Sequence, residues 1–385
     1  MQFNTFLDNR KTLELIHDTS IREVILEHRT LSRMGRLDTK KLLSLTDAAL
    51  ELGFSPILQW DILLTENNFE KCIKLLNDLP LAKFAAIRVQ DIGAAEWIRN
   101  EKSKIPIHFI AETGNHNLKG LLRWQEYFVR QLQRFVLSSE LPLSSLIHYC
   151  QSLRVPCEIL SVGRILLFYT PRKLLSDDKN SKNSLDFIER ILVPSDQQQR
   201  QFRTLQNQHG TFMYHHKDLF LLDFIPELQK INLKILRLDF RNIEIKPDCI
   251  KKIDSLLGSF DKQKVKSLKS KWPSKVTRAF FRANRTDLAI DRIKNPHRKD
   301  HGKTLVGCIV EAVKEQHLII LTRKSFQSGK SLLGITPEGR DCIISTDSIR
   351  TIDGQPIMEI ESGNLYKVPH VKYVTVETMV YSRPG

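Results

Sequence analysis

The sequence predicts an α/β fold: a (β/α)8 barrel of the TIM type, which need not be regular in its last quarter, followed by a small all-β barrel domain. Short aliphatic runs recur about every 22 to 32 residues and alternate with amphipathic helical segments, which indicates successive strand–helix units. From about residue 304 the apolar period changes from 3.6 residues to two, the period of half-buried strands. The length of 385 residues also exceeds what one hydrophobic core usually serves.

Eight segments are predicted to form the strands of the barrel. They are residues 23–29, 55–61, 84–91, 107–113, 134–140, 157–163, 210–216 and 233–241. Each is an almost continuous apolar run that closes on a polar residue, as parallel strands buried on both faces do. After the first of them, Asp38 is placed to cap a helix that ends at Gly53. A later helix is predicted over 217–230.

Two polar segments, 176–186 and 195–210, interrupt the strand–helix rhythm, so we expect loops inserted late in the barrel. The predicted domains are a barrel over residues 1–260, a basic linker over 261–303 and a β-barrel domain over 304–385. The last of these boundaries lies within a basic stretch of the chain.

The chain contains no apolar run near the roughly 20 residues that a membrane-spanning helix requires. Its first residues, MQFNTFLDNRK, lack the basic, apolar and small-residue regions of a secretory signal. We therefore expect a protein without a membrane span, with the cytoplasm as its location.

Six cysteines are scattered along the chain without a CxxC pair, a pattern typical of free thiols rather than of metal ligands. The sequence also lacks the common phosphate-binding, dinucleotide-binding, HExxH and GxSxG motifs. The adjacent His215 and His216 would point to opposite faces of a strand, so they would chelate a metal poorly. The sequence therefore predicts no metal site.

The net charge of +15 is concentrated in one region. Residues 261–303 hold 14 Lys and Arg against four Asp, together with three aromatic residues, Trp272, Phe280 and Phe281. Cations that neutralise phosphates, next to rings that stack on bases, favour binding of RNA or another single-stranded nucleic acid. The residues predicted to make this contact are Lys264, Lys266, Lys269, Lys271, Trp272, Lys275, Arg278, Arg282 and Arg285. The alternative is a solvated basic linker whose aromatic rings pack into the barrel.

Polar residues close the predicted strands, and in barrels of this type the chemistry takes place where the strands end. They are Glu27 with Arg29, Asp61, Asp91, Glu112 with Asn115, Glu140, and Asp239 with Arg241. Convergent carboxylates and arginines could bind a polar ligand or transfer protons. Equally, they could pair with one another and cap the helices that follow.

Four segments of the chain carry the pattern of a known family. They are RFVLSSELPLSSL (134–146), GRILLFYTPRKLLS (163–176), HGTFMYHHKDLFLLDFIPEL (209–228) and LKILRLDFR (233–241). They resemble signatures of the collagenase-like peptidase family U32. Residues 111–127 are similar to that family's fourth-strand segment, and the terminal β region is similar to its C-terminal barrel domain. The resemblance covers most of the chain in the right order.

The chain departs from the family at its cysteines. Members with an iron–sulfur cluster hold it through cysteines, and three of the corresponding positions are Leu166, Lys173 and Phe220 here. A further cysteine-bearing segment corresponds to PSDQQQRQF (194–202), which contains none. Because neither Leu, Lys nor Phe supplies a thiolate, we expect no iron–sulfur cluster at the family position and no other cofactor.

The resemblance implies an activity and a set of site residues. The family is associated with oxygen-independent hydroxylation of RNA bases and of the ubiquinone ring, besides the peptidase activity in its name. The candidate catalytic residues are Glu140, Tyr169, Arg172, Asp239 and Arg241. The candidate ligand-binding residues are Glu27, Asp61, Glu112, Asn115, His209, Lys217 and Asp218.

Together these observations predict an RNA-associated protein: a divergent factor that modifies transfer or ribosomal RNA, or a relative that binds RNA without catalysis. Two alternatives stay open. One is a peptidase-like hydrolase that uses carboxylates at the barrel mouth, and the other is a scaffold subunit that partners a cluster-containing paralogue. Whether the chain is an enzyme is undecided at this point.

Overall fold

The chain divides into two compact units, Met1–Ala283 and Asn284–Gly385. The structure is a computed structural model. It describes residues 1–112, 117–175, 187–193, 200–231, 233–241, 243, 247–283 and 303–382. Within these ranges no helix is both long and apolar enough to cross a membrane.

The first unit alternates strands and helices for most of its length. Its described strands are β1 (Gln2–Leu7), β2 (Glu23–Glu27), β3 (Ser55–Trp60), β4 (Ala86–Val89), β5 (Ile107–Ala111), β6 (Leu132–Leu137), β7 (Cys157–Thr170), β8 (Ile188–Leu192), β9 (Phe202–Asn207), β10 (Gly210–Phe220), β11 (Ile235–Leu238) and β12 (Val276–Thr277). Its described α-helices are α1 (Arg10–Ile16), α2 (Thr39–Glu51), α3 (Glu66–Asp78), α4 (Ile92–Glu101), α5 (Leu118–Tyr127), α6 (Leu143–Ser152), α7 (Ile225–Lys230), α8 (Pro247–Gly258) and α9 (Lys262–Ser270).

Eight of these strands form a closed parallel barrel with helices between them, which confirms the predicted fold class. Strands β1 to β7 pair in chain order, and β11 pairs with both β7 and β1 to close the ring. Most of the buried aliphatic side chains of the unit form one continuous core. The predicted caps of α2 are also present: Asp38 accepts a hydrogen bond from the Lys41 amide at 2.8 Å, and Gly53 follows the helix at φ +77°.

One barrel strand differs from the prediction. Residues 210–216 belong to β10, which runs antiparallel to β7 and is not a strand of the ring. The eighth strand is β1 instead, where Asn4 and Thr5 interrupt the apolar run although both are buried. The Asn4 side chain donates to Glu158 of β7, two strands away in the barrel, at 2.9 Å. This buried polar contact takes the place of an aliphatic side chain, so the strand lacks the continuous apolar run by which the sequence predicts the others.

Strand β7 continues beyond the barrel and forms an antiparallel sheet with β8, β9 and β10, which we call the flap. Two predictions were wrong in this region. Part of the predicted loop 195–210 is strand β9, and the predicted helix over 217–230 begins only at Ile225, after β10 and a short 3₁₀ turn. Pairing with β8 and β10 holds the polar β9 extended, and composition alone does not show this. Segments 176–186 and 194–199 lie outside the described residues.

Gly163 is the point at which β7 leaves the barrel for the flap. Its neighbour Val162 still pairs with Leu238 of the barrel, whereas Gly163 pairs with Leu219 of β10. Gly163 has φ +148°, and a Cβ there would lie 2.8 Å from the Cβ of Asp239. Only glycine fits this conformation and this close approach to the neighbouring strand.

Alternate residues of the barrel strands point into the barrel, and many of them are charged. Fully buried Glu158 on β7 accepts hydrogen bonds from Arg88 at 2.7 Å, Arg134 at 3.2 Å and Arg237 at 3.2 Å. Arg134 also donates twice to Glu23, at 2.6 Å each. Burial alone would raise the pKa of Glu158, but these arginines, Arg88 foremost, hold it below its usual range. One ionised carboxylate therefore joins strands β4, β6, β7 and β11.

The second unit is a curled antiparallel sheet, as the period of two predicted. Its described strands are β13 (Leu305–Val313), β14 (His317–Thr322), β15 (Phe326–Gln327), β16 (Ser331–Ile335), β17 (Asp341–Ser345), β18 (Arg350–Thr351), β19 (Glu359–Ile360), β20 (Leu365–Pro369) and β21 (Met379–Ser382). Seven of them pair in the order β17-β16-β21-β13-β14-β20-β18, and β15 pairs with β19. Apolar residues such as Ile309, Ile320 and Val380 fill its own core.

We expect Gly163→Ala to lower the free energy of unfolding by about 2 kcal/mol, because the new methyl group would meet Asp239 in a conformation unfavourable for alanine. Urea denaturation measures the effect. The matched control is Gly258→Ala at the end of α8, where nothing lies within 4 Å of the new Cβ. The control should be neutral or stabilising by up to about 1 kcal/mol. Equal losses of unfolding free energy in the two variants would contradict the requirement for glycine at position 163.

Glu158→Gln should lower the free energy of unfolding by about 3 to 5 kcal/mol, because it removes the carboxylate shared by three buried arginines and leaves Arg88 without an ion pair to any described residue. The control is Glu126→Gln, which removes the exposed ion pair with Arg123. That change should alter stability by less than about 1 kcal/mol. Similar denaturation curves for the two variants would show that the buried network does not stabilise the barrel.

Candidate functional site at the barrel mouth

Arg241 lies at the carboxyl ends of the barrel strands and is held by two carboxylates. Its Nη1 donates to Glu27 Oε1 at 2.7 Å, and its Nε and Nη2 donate to Asp239 at 2.9 and 2.6 Å. The guanidinium carbon lies 3.4 Å from the centroid of the Phe6 ring. The structure thus brings together Glu27, Asp239 and Arg241, three of the residues that the sequence placed in a site.

A second ion pair joins Arg33 and Asp61. Asp61 accepts hydrogen bonds from the Arg33 amide at 2.9 Å, from Arg33 Nε at 2.8 Å and from the Gln59 side chain at 2.9 Å. The carbonyl of Arg33 in turn accepts a hydrogen bond from the Asn207 side chain of the flap at 2.8 Å. The pair therefore connects the barrel mouth to the flap above it.

Arg237 links the mouth to the interior of the barrel. It donates to Glu112 at the mouth and to Glu158 inside. Asp61, Glu112 and Asp239 each face an arginine, which is the mutual pairing that the sequence left open as an alternative. Asp91 caps a helix, as that alternative also held, by accepting a hydrogen bond from the Ala94 amide at 2.9 Å.

The carboxyl groups of the mouth differ in their affinity for protons. Burial raises the pKa of Glu27 to about 7, although Arg241 acts in the opposite direction. Burial also acts to raise the pKa of Asp61 and Asp239, but Arg33 and Arg241 respectively outweigh it and hold both below the usual range. Glu27 can therefore give or take a proton near neutral pH, whereas Asp61 and Asp239 stay ionised.

Three cavities lie at the mouth, of which one, of about 30 Å³, is lined by Glu27 and Arg241. The other two open between the barrel and the flap. The smaller, of about 100 Å³, is lined by arginines and acids of the barrel and by Phe212 and Tyr214 of the flap. Glu140 also lines it. The larger cleft, of about 740 Å³, is lined by Tyr214 and Arg241 and extends to Pro273 and Ser274.

Several predicted site residues hold the flap and line none of these cavities. Tyr169 stacks on Phe212 with ring centroids 4.6 Å apart, and its hydroxyl donates to the carbonyl of His209 at 3.3 Å. A ring nitrogen of His209 lies 2.6 Å from the carbonyl of Arg29. The exposed Arg172 contributes its carbonyl, which accepts a hydrogen bond from the Thr211 hydroxyl at 2.9 Å. These contacts position the flap over the barrel.

The remaining predicted ligand-binding residues are Asp218, which lies at the far end of the larger cleft, its neighbour Lys217, which lines none of the cavities, and Asn115. Asp218 accepts hydrogen bonds from Trp272 Nε1 at 2.9 Å and from the Ser274 hydroxyl. The Lys217 amide donates to the His215 ring at 3.1 Å. Asn115 and, in the basic region, Arg285 fall in segments that the structure does not describe.

The sequence analysis missed Arg33, Tyr214 and Arg237, which line the mouth. Arg237 could have been found, because it sits two residues before Asp239 and so on the same face of β11. Arg33 and Tyr214 carry no such signal. Arg33 lies in a loop after β2, and Tyr214 lies in a strand whose pairing with β7 brings it over the mouth.

Residues 261–283, which we call the cationic segment, pack on the barrel with their charges outward. They contain eight Lys and Arg against one Asp, and all eight cations are exposed. Lys269 pairs with Asp223 and Arg282 with Glu227. Within the part of the chain that the structure describes, the other six make no ion pair. They are Lys262, Lys264, Lys266, Lys271, Lys275 and Arg278.

Two of the three aromatic residues of the cationic segment point into the core, and the third, Phe280, is half-buried. Trp272 is 8 % exposed and packs edge-on against Phe220, and Phe281 is 2 % exposed. Neither ring can stack on a base while it is packed in this core. The expectation that they do so is therefore corrected: both rings anchor the segment, which presents only its cations to solvent.

The structure places the three residues that the resemblance matched to the family's cysteines, and the absence of an iron–sulfur cluster stays a prediction. Leu166 lines the smaller cavity, Phe220 is buried, and Lys173 is exposed. None of these side chains supplies a thiolate. Among the residues that the structure describes, no group of three or more His, Cys, Asp or Glu is placed to hold a metal ion.

A TIM-type barrel with charged residues at the carboxyl ends of its strands defines the class of this protein. The sequence model of peptidase family U32 matches residues 27–286, about two thirds of the chain, including strands β3 to β7 and β11. The chain belongs to peptidase family U32. No curated protein matches it significantly.

Solved structures similar to this chain include two U32 proteins and a glycosidase. The C-terminal domain of a protein described as a U32 peptidase from Geobacillus thermoleovorans is 14 % identical, with a TM-score of 0.19, over 21 % of this chain and 93 % of that one. The U32 peptidase Mk0906 is 9 % identical, with a TM-score of 0.35, over 42 % and 69 % of the two chains. A GH27 β-L-arabinopyranosidase from Geobacillus stearothermophilus is 9 % identical, with a TM-score of 0.36, over 99 % and 96 %.

Glu27→Gln should change how stability depends on pH. Because burial raises the pKa of Glu27, the folded protein retains a proton that the unfolded chain releases above pH 4.5. Glu27 therefore contributes stability at low pH that is lost as the pH rises through about 7. The free energy of unfolding of the variant, relative to the wild type, should rise by up to about 3 kcal/mol between about pH 5 and pH 8. Parallel pH profiles of the two proteins in urea denaturation would contradict this.

Proposed function

We propose that this protein binds single-stranded RNA along its cationic segment and receives part of that RNA in the larger cleft. The observation that supports this most directly is the extent of the cleft. It is lined at one end by Tyr214 and Arg241 of the barrel mouth and at the other by Pro273 and Ser274 of the cationic segment. A single-stranded RNA bound by the exposed cations could therefore extend through this cleft to the charged mouth of the barrel.

The charge distribution supports phosphate contacts rather than base recognition along the segment. Six exposed cations lack an ion pair with any described residue, so they are available to neutralise phosphates. Because Trp272 and Phe281 are buried, this segment offers neither of these rings to a base. Recognition of a particular nucleotide would then fall to the cleft, whose lining includes Arg241, Arg164 and Tyr214.

The role we propose is that of a U32 relative that modifies RNA or binds it without catalysis, and that works without an iron–sulfur cluster. Leu166, Lys173 and Phe220 at the family's cysteine positions support the absence of the cluster. We assign Glu27 the proton transfer of any retained chemistry, because its pKa lies near neutrality and because it lines a cavity of about 30 Å³ together with Arg241.

The second candidate is the hydrolase or peptidase chemistry in the family's name, which Glu27 also favours as an acid–base group. Asp61, Glu112 and Asp239 are engaged by arginines, which makes them weaker candidates for attacking a peptide bond. Turnover of a peptide library that Glu27→Gln, Glu140→Gln or Asp239→Asn abolishes, with RNA affinity unchanged, would favour this candidate over the first.

Replacing Lys264, Lys271 and Lys275 together by Gln should weaken RNA binding at least about 10-fold at low salt. Each lost phosphate contact should reduce the slope of log affinity against log salt by about 0.7, so the triple variant should lose about 2 units of slope. Filter binding of a 20-nucleotide single-stranded RNA to the full chain, between about 50 and 200 mM salt, measures both quantities.

The matched control replaces Lys40, Lys41 and Lys71 by Gln, since these lysines are also exposed but lie on α2 and α3. The control removes the same net charge but lies outside the cationic segment. It should therefore leave both the RNA affinity and the salt slope within about twofold of the wild-type values. A flat salt response of the wild type, or equal losses in the two triple variants, would overturn the proposed binding surface.

A further inference from the structure

Tyr373, in the C-terminal unit, is an exposed aromatic residue in an unfavourable backbone conformation. Its side chain is 61 % exposed and its φ is +73°. It is the third residue of a turn in which the Val374 amide donates to the carbonyl of Val371 at 3.2 Å. A bulky side chain rarely adopts this conformation, and glycine or asparagine usually occupies a turn position that requires it.

The surroundings of Tyr373 hold this conformation in place. Val374, which follows it, is 4 % exposed and belongs to the core of the unit. A second turn follows, in which the Thr378 amide donates to the carbonyl of Thr375 at 3.2 Å, and Glu377 has φ +68°. The fold thus keeps an aromatic ring in solvent at the expense of backbone strain, a combination that is typical of ligand contacts.

Two cations lie over the ring. The guanidinium carbon of Arg340 is 5.2 Å and the Nζ of Lys372 is 5.0 Å from its centroid. Neither cation makes an ion pair with any residue that the structure describes in this unit. An exposed ring flanked by uncompensated cations matches the parts of a nucleotide, which offers a flat base beside a phosphate.

We propose that Tyr373, Arg340 and Lys372 form a stacking site for an unpaired base of single-stranded RNA. The ring takes the base, and the two cations contact the adjoining phosphates. The proposal rests on the RNA binding proposed above and adds a base contact outside the cationic segment, whose Trp272 and Phe281 are buried. An acidic peptide would use the cations, but it would not require a strained tyrosine.

The first test measures the affinity of the full chain for a 12-nucleotide single-stranded RNA by fluorescence anisotropy. Tyr373→Ala should weaken binding about 10-fold, whereas Tyr373→Phe, which keeps the ring, should stay within about twofold of the wild type. An abasic oligonucleotide of equal length and charge should bind the wild type and Tyr373→Ala equally well. Equal losses with the abasic strand would show that the ring does not contact a base.

The second test separates binding from folding. Tyr373→Gly removes the ring and also relieves the unfavourable φ, so its melting temperature should equal or exceed that of the wild type. Its RNA affinity should fall as far as that of Tyr373→Ala. A melting temperature several degrees lower would show that the ring has a structural role and would overturn the proposal.

The third test locates the contact directly. RNA that carries 5-iodouridine should cross-link on irradiation to the peptide containing Tyr373 in the wild type, and mass spectrometry identifies that peptide. Cross-links that never reach residues 371–374 would overturn the stacking site. So would competition by polyglutamate that matches RNA of equal charge, because an acidic chain would then be the preferred ligand.

The outcomes also distinguish this site from the proposed function. If the wild type binds no RNA, both proposals fail. If the triple variant of the cationic segment loses binding while Tyr373→Ala does not, the stacking site alone fails.

Discussion

Three arginines of the barrel interior share one carboxylate, that of Glu158, and the rest of the barrel depends on this arrangement. Arg88, Arg134 and Arg237 come from three different strands. Arg134 also pairs with Glu23 and Arg237 with Glu112, whereas buried Arg88 pairs with no described carboxylate other than Glu158. Arg237 carries the same network outward, because it also binds Glu112 at the mouth. The positions of the mouth side chains therefore depend on the buried ion pairs beneath them.

The ion pairs with arginine determine which carboxyl groups of the mouth can exchange a proton. Arg33 and Arg241 hold Asp61 and Asp239 in their ionised forms, so these acids are stable parts of the scaffold rather than proton donors. Glu27 has the same arginine neighbour as Asp239, yet burial dominates and its pKa lies near 7. The flap narrows the opening above these residues with Phe212 and Tyr214 and leaves the larger cleft open toward the cationic segment.

The two units present their charges differently. On the first unit the cationic segment buries Val265, Leu268 and Trp272 and exposes its lysines, which suits a charged backbone and no particular base. The C-terminal unit holds an exposed tyrosine between two cations, which suits a single base.

The sequence by itself determined the strand–helix alternation of the barrel, the change to antiparallel strands after residue 304, and the family to which the chain belongs. It did so because periodicity, helix caps and family signatures are local properties of the chain. It also placed Glu27, Asp239 and Arg241 in one site, since the ends of parallel strands meet at one edge.

Only the tertiary structure decided which charges neutralise one another, which strand closes the barrel and which way the aromatic rings of the cationic segment face. Asn4 can lie in a buried strand because Glu158 of β7 accepts its hydrogen bond, and Trp272 can be buried because its indole N–H donates to Asp218 of β10. Each of these outcomes depends on a partner far away in sequence, and contacts of that kind leave no local pattern.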